Sequence, residues 1–457
     1  MDTENTSESL LSRRRFLQLT GGMVAAAGGL AGPATALARP TAAAASTAAL
    51  GAQLRDLLGT PTHLIAKGPG NFHTEGHFPI SGADASGRQM AGGFTLGSQH
   101  VAAWTNGKLN FQNKYYDNDS GNPQKEIYAA KQAGLDGATL FTNSNLFGFG
   151  SCPPIMKDYG MFGLDAGGGT GPIPGPFEGL PFCYGTREPF PVGQMDGMVM
   201  TVQRLHKGVK RFVFVNADVA PNYNAAVETY FRAMCKRLNI EFVQWILAPL
   251  GMTDYSATVE QVKGLNPDVT VWTTFGTDTA YQARAAVQQG LKSINLGIDF
   301  TAASCAAAGS AFKGWYQGLA YPDNNNPPNQ WAKLIHDSWV SGPGKSASNG
   351  LVPGNYVYNY YQAAFVYAFL MDTVIGMGAD IHKGESYIAA MNAMNSFPHP
   401  YSPPSPGLKA GTLVINKTTH SPDKISMICF QPLGTGNPLD IKIVSNFNML
   451  GADLVLK

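Results

Sequence analysis

Two short polar stretches hold acids and histidines at spacings that could do chemistry. The first, YYDNDSGNPQKEIYAAKQAG at 115–134, has Asp117 and Asp119 two residues apart, as in a calcium loop. Such a loop also needs glycine at position 6 and a bidentate glutamate at position 12. Counted from Asp117, these positions hold Asn122 and Tyr128, so the ligand set is incomplete. The acids are instead expected in a turn before a helix that Asn122 caps and the following proline begins.

The second stretch, HTEGH, holds His73, Glu75 and His77. It lacks the H-E-x-x-H order of a zinc-protease helix, and Gly76 with its polar neighbours predicts a loop without a metal. No G-K-[ST] phosphate loop, G-x-S-x-G elbow or C-x-x-C pair occurs in the sequence. We therefore predict no catalytic residue, no metal, no cofactor and no enzymatic activity.

The elements that must position any binding residue alternate along the chain. Strand-like runs rich in β-branched and aromatic residues are KLNFQNKYYD, GATLFT, RFVFVN, IEFVQWIL, PDVTVWTTFG and INLGIDF. Helical patterns separate most of them, as in TDTAYQARAAVQQG, and a later segment, NYVYNYYQAAFVYAFLMDTVIG, predicts a buried helix. This alternation predicts parallel sheets with helices on both faces, and ligands beyond the carboxyl ends of the strands.

Composition favours a folded protein that does not bind nucleic acid. The 457 residues suffice for two to three domains, and 44% are hydrophobic while 14% are charged. The 32 Lys and Arg nearly cancel the 31 Asp and Glu, and no basic stripe stands out.

The N-terminus resembles a twin-arginine export signal. Arginines at 13–15 precede a Gly/Ala-rich run that closes with the cleavage pattern Ala36-Leu37-Ala38. Residues 1–38 are expected to form the signal and 39–62 a linker, with a membrane anchor as the alternative for the apolar run. The mature chain is then expected in the periplasm or at the extracytoplasmic cell surface.

The five cysteines leave at least one thiol unpaired in a monomer. Cys152 and Cys183 flank the Gly/Pro-rich stretch 164–181, which makes them a candidate disulfide. Cys235 lies in a helical pattern and is expected to be a buried thiol, whereas the pairing of the other two stays open.

Several stretches, in order, resemble the type I periplasmic solute-binding proteins of ABC importers, of the leucine/isoleucine/valine-binding-protein type. LFTNSN resembles the strand and turn that line the cleft, and the second-lobe match includes LGMTDYSATVEQVKGLNPDVTVWTTFGTDTAYQARAAVQQGL at 250–291. The resemblance covers about residues 78–450. Two departures stand out: polar GPGNFHTEGHFPI replaces the expected first strand, and the insertion 147–181 is longer than usual.

The resemblance implies an α/β fold of two Rossmann-like lobes with parallel sheets, joined by a multi-strand hinge. Residues 63–192 and 323–415 would form lobe 1, and residues 193–322 and 416–457 would form lobe 2.

The resemblance also implies ligand contacts in the turns that face the cleft. The implied contacts are Thr142, Asn143, Ser144, Tyr184, Gly185 and Thr186 in lobe 1, with Tyr223, Phe275, Gly276, Asp299 and Phe300 in lobe 2. Backbone N–H groups at helix N-termini suit a ligand carboxylate, and Asp299 would pair with a ligand ammonium.

The implied function is capture of a small organic solute by hinge closure, for an ABC importer. The solute would be an amino acid or a related carboxylate or amide, including an aromatic acid, and a monomer would deliver it to a membrane permease. Two alternatives stay open: an extracytoplasmic sensor that uses the same clamp to regulate a partner, and a secreted hydrolase.

Overall fold

A computed structural model shows how the predicted strands and helices assemble. It describes residues 42–81, 86–119, 122–144, 152–167, 180, 182–188, 192–219, 221–298, 300–320, 323–346, 353–438 and 440–457. Residues Ser46–Lys457 form one compact unit. The expected export signal at 1–38 lies outside the described residues.

The first sheet has five parallel strands in the order β2-β1-β3-β4-β5. Its strands are β1 Gly70–Phe78, β2 Leu109–Asp117, β3 Leu140–Asn143, β4 Phe162–Asp165 and β5 Cys183–Gly185. Helices lie between successive strands, as the alternating pattern predicts. They are α3 Gly87–Trp104, α4 Pro123–Leu135 and α5 Cys152–Asp158.

The second sheet has eight strands in the order β16-β15-β14-β10-β9-β8-β6-β7. The strands from β10 to β7 are parallel, and β14, β15 and β16 add antiparallel pairs at the other side. Its strands are β6 Arg211–Ala217, β7 Glu241–Ala248, β8 Val269–Thr273, β9 Ile294–Gly297, β10 Tyr316–Leu319, β14 Ser426–Pro432, β15 Ile441–Asn448 and β16 Ala452–Leu456. The helices along this part are α6 Val192–Leu205, α7 Pro221–Arg237, α8 Ser256–Gly264, α9 Gly276–Gln288 and α10 Ala302–Ala308.

A small antiparallel sheet completes the fold. Its strands are β11 Ser396–His399, β12 Gly411–Ile415 and β13 Pro422–Lys424. The remaining helices are α1 Ala42–Leu58, α2 Thr62–Lys67, α11 Gln330–Ser341, α12 Pro343–Ser346, α13 Asn355–Gly376 and α14 Gly384–Ala393. Short 3₁₀ turns lie at Gly309–Phe312 and Met449–Gly451.

The buried helix predicted from its apolar faces is α13, which packs tightly on α3. A Cβ added at Gly93 would lie 2.5 Å from the Val357 carbonyl oxygen, and one at Gly97 would lie 2.7 Å from that of Tyr361. These glycines therefore let the two backbones approach, and they tie residues after 355 to the five-stranded sheet.

The chain passes between the regions of the two large sheets after β5, after β10 and after β13. The predicted α/β architecture with two sheets joined by several segments is confirmed. The lobe boundaries at 192, 322 and 415 stay a prediction.

Two sequence expectations differ from the structure. The polar stretch expected to be a loop is the strand β1, because its neighbours β2 and β3 supply parallel partners on both sides. The expected linker at 39–62 contains α1, whose buried Leu54 and Leu57 pack into the core instead of connecting two bodies. The insertion at 147–181 contributes α5 and β4, whereas 147–151, 168–179 and 181 lie outside the described residues.

Cys152 and Cys183 are not bonded to each other in the structure. Both are buried, free thiols in one small apolar cluster. The Cys152 thiol points to the Glu126 carbonyl oxygen at 3.7 Å, and the Cys183 sulfur lies 3.7 Å from the Met156 sulfur. Cys235 is a buried free thiol, as expected.

None of the helices described by the structure is both long enough and apolar enough to cross a membrane.

Candidate functional site

The carboxyl ends of β1, β3, β4 and β5 form one edge of the five-stranded sheet. Asn143 of β3 pairs with Asp165 of β4, which pairs with Gly185 of β5. On the other side of β3, Gly76 pairs with Thr142, so His77 lies one step further toward the same edge. This edge therefore brings one histidine, one amide and one carboxylate into a row, all of them buried.

His77 is held between two amide side chains. Its Nε2 lies 3.0 Å from Asn143 Oδ1, and its Nδ1 lies 3.0 Å from the Asn118 amide nitrogen. Since an amide oxygen can only accept and an amide nitrogen can only donate, Nε2 carries the proton and the ring is neutral. Burial lowers the His77 pKa to about 4, against a smaller opposing effect of the Asn143 hydrogen bond. His77 therefore acts as a fixed neutral hydrogen-bonding group.

Asn118 links this row to a second acid. Its amide nitrogen lies 3.3 Å from Glu126 Oε1 and 3.4 Å from Ser144 Oγ. Burial, together with the nearby Asp165 charge, raises the pKa of Glu126 to about 8, against a smaller opposing effect of the Asn118 hydrogen bond. Glu126 is therefore a neutral acid at neutral pH. Its second oxygen is buried without a hydrogen-bond partner among the described residues.

A buried ion pair follows β5 at the same edge. Arg187 Nε lies 3.1 Å from Glu188 Oε1, and both side chains are almost fully buried. The guanidinium carbon lies 5.6 Å from the centre of the Tyr356 ring, and Nη1 donates to the Gly167 carbonyl oxygen. Arg187 therefore fixes the turn after β4 against the end of β5.

The three predicted residues at the carboxyl end of β3 reach this edge. Thr142 donates to the Tyr367 hydroxyl at 3.4 Å, and the Asn143 carbonyl oxygen accepts from Tyr360 at 2.9 Å. Ser144 follows β3 directly and contacts Asn118. All three predicted residues are buried.

The three predicted residues around β5 divide into two groups. Tyr184 stacks between Phe162 and His420, with its ring centre 4.0 Å from the histidine ring, so it belongs to the core. Gly185 N donates to the His420 carbonyl oxygen, whereas Thr186 N donates to the Asp165 carbonyl oxygen at 2.9 Å. Of these three residues, Thr186 is the one whose backbone N–H is hydrogen-bonded to Asp165 of the row.

On the eight-stranded sheet, a polar network fixes the turn after β6. Thr273 donates to Asn216 Oδ1 at 2.7 Å, and the Asn216 amide donates to Asn224 Oδ1 at 3.3 Å. Asn224 in turn donates to Asp218 at 2.8 Å. Tyr223 is half-buried in the first turn of α7, so this network orients the helix end that carries it.

Phe275 and Gly276 lie at the start of α9, directly after β8. Phe275 is the half-buried N-cap residue, and Gly276 is buried with φ of +52°. The Asp278 carboxylate accepts from the Gly251 backbone N–H at 2.9 Å, which joins this turn to the end of β7. Both predicted residues therefore stand at the carboxyl ends of strands, as the fold requires.

The last pair of predicted residues does not form a polar site. Phe300 is buried and packs edge-on against Phe430 at 4.9 Å and near Phe312, so its ring serves the core. Asp299 lies outside the described residues.

Of the two acids considered for calcium, Asp119 forms an ion pair with Lys125 and Asp117 binds the backbone. The Asp117 carboxylate accepts from the N–H groups of Ile80, Ser81 and Asp119, and these bonds, with that of the Ser81 hydroxyl, hold its pKa below the usual range against desolvation. Asn122 caps α4 by accepting from two backbone N–H groups. In the part of the chain that the structure describes, no three His, Cys, Asp or Glu side chains converge on a possible metal position.

The arrangement suits binding rather than covalent chemistry. A nucleophile must contact its base, yet Asn118 stands between the Ser144 hydroxyl and His77, and His77 Nε2 is committed to Asn143. The edge offers hydrogen-bond donors and acceptors that are fixed by their neighbours, which is how small-molecule sites obtain specificity.

Sequence reasoning did not assign four polar residues to this sheet edge: His77, Asn118, Glu126 and Asp165. The first lies in a stretch considered for metal, and the second lies beside the suspected calcium acids. Their polarity was the available signal, but local composition could not place them at one sheet edge.

Comparisons with known proteins identify relatives of this chain. The model of a family described as "Periplasmic binding protein" matches residues 188–422. None of the curated protein sequences matches the chain.

Several solved structures share the fold at low identity. The amino acid ABC transporter substrate-binding protein from Pseudomonas fluorescens Pf-5 has a TM-score of 0.65 and 18% identity, over 83% of this chain and 96% of that one. An R. palustris ABC transporter solute-binding protein in complex with 4-hydroxybenzoate has a TM-score of 0.66 and 15% identity. The match covers 82% of this chain and 97% of that one. A third structure is the branched-chain amino acid transporter substrate-binding protein from Streptococcus pneumoniae in complex with isoleucine. It has a TM-score of 0.64 and 12% identity, over 85% of this chain and 100% of that one.

Proposed function

The chain belongs to the periplasmic binding protein family, and from that premise we propose that it is the substrate-binding protein of an ABC importer. Members of this family are extracytoplasmic, bind small molecules and are not enzymes. The proposed protein captures one small organic solute between two lobes by hinge closure and delivers it to a membrane permease.

The observation that carries the proposal is the polar row at the carboxyl edge of the five-stranded sheet. His77, Asn143 and Asp165 are buried there, and parallel sheets bind ligands at that edge. A turn at the carboxyl end of β8 presents Phe275 and Gly276, and the first turn of α7 presents Tyr223. The proposed lobe 1 contacts are Thr142, Asn143, Ser144 and Thr186. The proposed lobe 2 contacts are Tyr223, Phe275 and Gly276.

The proposed ligand is an amino acid or a related carboxylate or amide, including an aromatic acid. Solved structures with the same fold hold isoleucine or 4-hydroxybenzoate, each of which carries a carboxylate beside an apolar group. Half-buried Tyr223 and Phe275 would cover such an apolar group, while backbone N–H groups at helix starts would bind the carboxylate.

Export through a twin-arginine signal at residues 1–38 and action as a monomer complete the proposal. Arg13, Arg14 and the Ala36-Leu37-Ala38 pattern support the export route.

A thermal-shift panel on residues 39–457 tests the function. The panel contains aliphatic and aromatic amino acids, their amides, benzoate and 4-hydroxybenzoate, with inorganic phosphate as a control. A true ligand at 100 times its dissociation constant should stabilise the protein by about 2.7 kcal/mol. If no panel member raises the unfolding temperature above the phosphate control, the proposed ligand class is wrong.

A further inference from the structure

A cavity lies where the three-stranded sheet meets the antiparallel side of the eight-stranded sheet. Its volume is about 750 Å³, within the range of small-molecule sites. The walls come from β12, β14 and β15, with the loop after β11 and the segment 323–328. Among the described residues that line it, none belongs to the proposed ligand contacts.

Hydroxyl groups line one part of the cavity and are already oriented. Ser402 donates to Ser426 Oγ at 3.0 Å, which joins the loop after β11 to β14. Thr412 of β12 donates to Ser405 Oγ at 2.7 Å. A hydroxyl oxygen has two lone pairs, so each accepting oxygen keeps acceptor capacity for a ligand.

The charges around the cavity cancel. Lys424 and Asp453 form an exposed ion pair with a separation of 3.2 Å, and Asp323 and Lys457 add one charge of each sign. A charged ligand would therefore gain little net attraction here, whereas an uncharged ligand would lose nothing to repulsion.

The floor of the cavity is apolar. Ile428 of β14, Ile443 of β15 and Val414 of β12 line it with apolar side chains, and Tyr401 adds an aromatic ring. The lining thus combines an apolar floor with hydroxyl and amide groups, which matches the two faces of a sugar ring.

The loop after β11 forms one wall of the cavity, and Asn329 and His399 hold it from outside the lining. The Asn329 amide donates to the carbonyl oxygens of His399, Pro400 and Ser402, at 2.7 Å for the last. His399 Nδ1 lies 3.2 Å from Ser402 Oγ, and its ring packs edge-on against Tyr401 at 4.6 Å. These contacts fix the positions of Tyr401 and Ser402 in the cavity wall.

We propose that this cavity binds a small uncharged polyhydroxylated molecule, a sugar or a polyol, at a site separate from the cleft. Paired wall charges, oriented hydroxyls and an apolar floor recognise that class by hydrogen bonds and by contact with its C–H face. Because both sheets contribute walls, the bound molecule bridges them.

Ligand-observed NMR on residues 39–457, with monosaccharides, disaccharides and linear polyols, tests the site. Asn446→Trp places a large ring at the cavity, and Lys442→Trp is the matched control on the same strand, outside the cavity. At least one member should bind the natural chain and the control equally, and Asn446→Trp should weaken it at least tenfold.

Cleft binding distinguishes this site from the proposed function. Asn446→Trp should leave the affinity for the cleft ligand within twofold of that of the control. The proposal is overturned if no sugar or polyol binds at millimolar concentration, or if Asn446→Trp binds it as well as the natural chain.

Discussion

His77 and Asn143 are joined by a buried hydrogen bond of 3.0 Å between Nε2 and Oδ1. The bond connects the ends of two neighbouring parallel strands, and the hydrogen bond that His77 Nδ1 accepts from the Asn118 amide requires the histidine to be neutral. The edge on which the proposed ligand contacts stand therefore depends on one protonation state.

The His77→Gln variant should lose less stability in acid than the natural chain does. The folded pKa, about 4, lies below the unfolded value of 6.5, so the unfolded chain binds more protons between these limits. Stability therefore falls as pH decreases through this window. Between pH 7 and 4.5 the loss should be about 2 kcal/mol smaller in the variant, measured by urea unfolding. Exposed His63, changed to Gln, is the control and should leave the pH dependence unchanged.

Glu126→Gln should have the opposite effect. The folded pKa, about 8, lies above the unfolded value of 4.5, so the folded chain binds more protons between them and its stability falls as pH rises. From pH 5 to 8 the variant should lose about 3 kcal/mol less than the natural chain, by the same measurement. Glu260→Gln, at an exposed helix position, should behave like the natural chain. Parallel pH profiles for Glu126→Gln and the natural chain would contradict a buried neutral acid.

Gly76→Ala should destabilise β1, which lies between β2 and β3 in the first sheet. The added Cβ would lie 2.8 Å from the Thr142 carbonyl oxygen, so neighbouring strands would have to move. We expect a loss of about 1–3 kcal/mol in urea unfolding. Gly264, at the end of α8, has nothing within 4 Å of an added Cβ, and Gly264→Ala should be neutral or stabilising by up to about 1 kcal/mol. Equal effects of the two changes would contradict the close packing at Gly76.

Local sequence patterns predicted most of the architecture. β6, α7, β7 and α9 follow from apolar periodicity, and α13 follows from a segment apolar on all faces. The sequence pattern did not predict β1, because much of this strand is polar. His77 is a strand residue through pairing with β2 and β3, whose residues lie further along the sequence. β4 was not predicted either, because its four residues lie in a Gly/Pro-rich insertion.

The site was less predictable than the fold. Asn143 and Ser144 could be named because they directly follow a recognisable strand. Glu126 could not, because its role comes from Asn118 and Asp165, which only the sheet brings near. The family resemblance implied ligand contacts for Tyr184 and Phe300, and the structure shows the Tyr184 ring stacked on His420 and the Phe300 ring packed against Phe430.

A pair of tyrosines on α7 separates ligand binding from stability. Tyr223→Phe should weaken binding of the cleft ligand about tenfold, the cost of one hydrogen bond lost between the hydroxyl and the ligand. Tyr230 donates to the Asp196 carboxylate, so Tyr230→Phe should lower stability while leaving affinity unchanged. Calorimetric titration and urea unfolding of both variants measure the two effects. Unchanged affinity in Tyr223→Phe would remove this residue from the lobe 2 contacts.

The central claim is that the chain captures a solute and does not alter it. Calorimetric titration of residues 39–457 with the best ligand of the panel, followed by mass spectrometry of the recovered ligand, tests both parts. We predict one molecule bound per chain and recovered with its mass unchanged. A recovered ligand of altered mass, or saturation at a different ratio, would contradict the account.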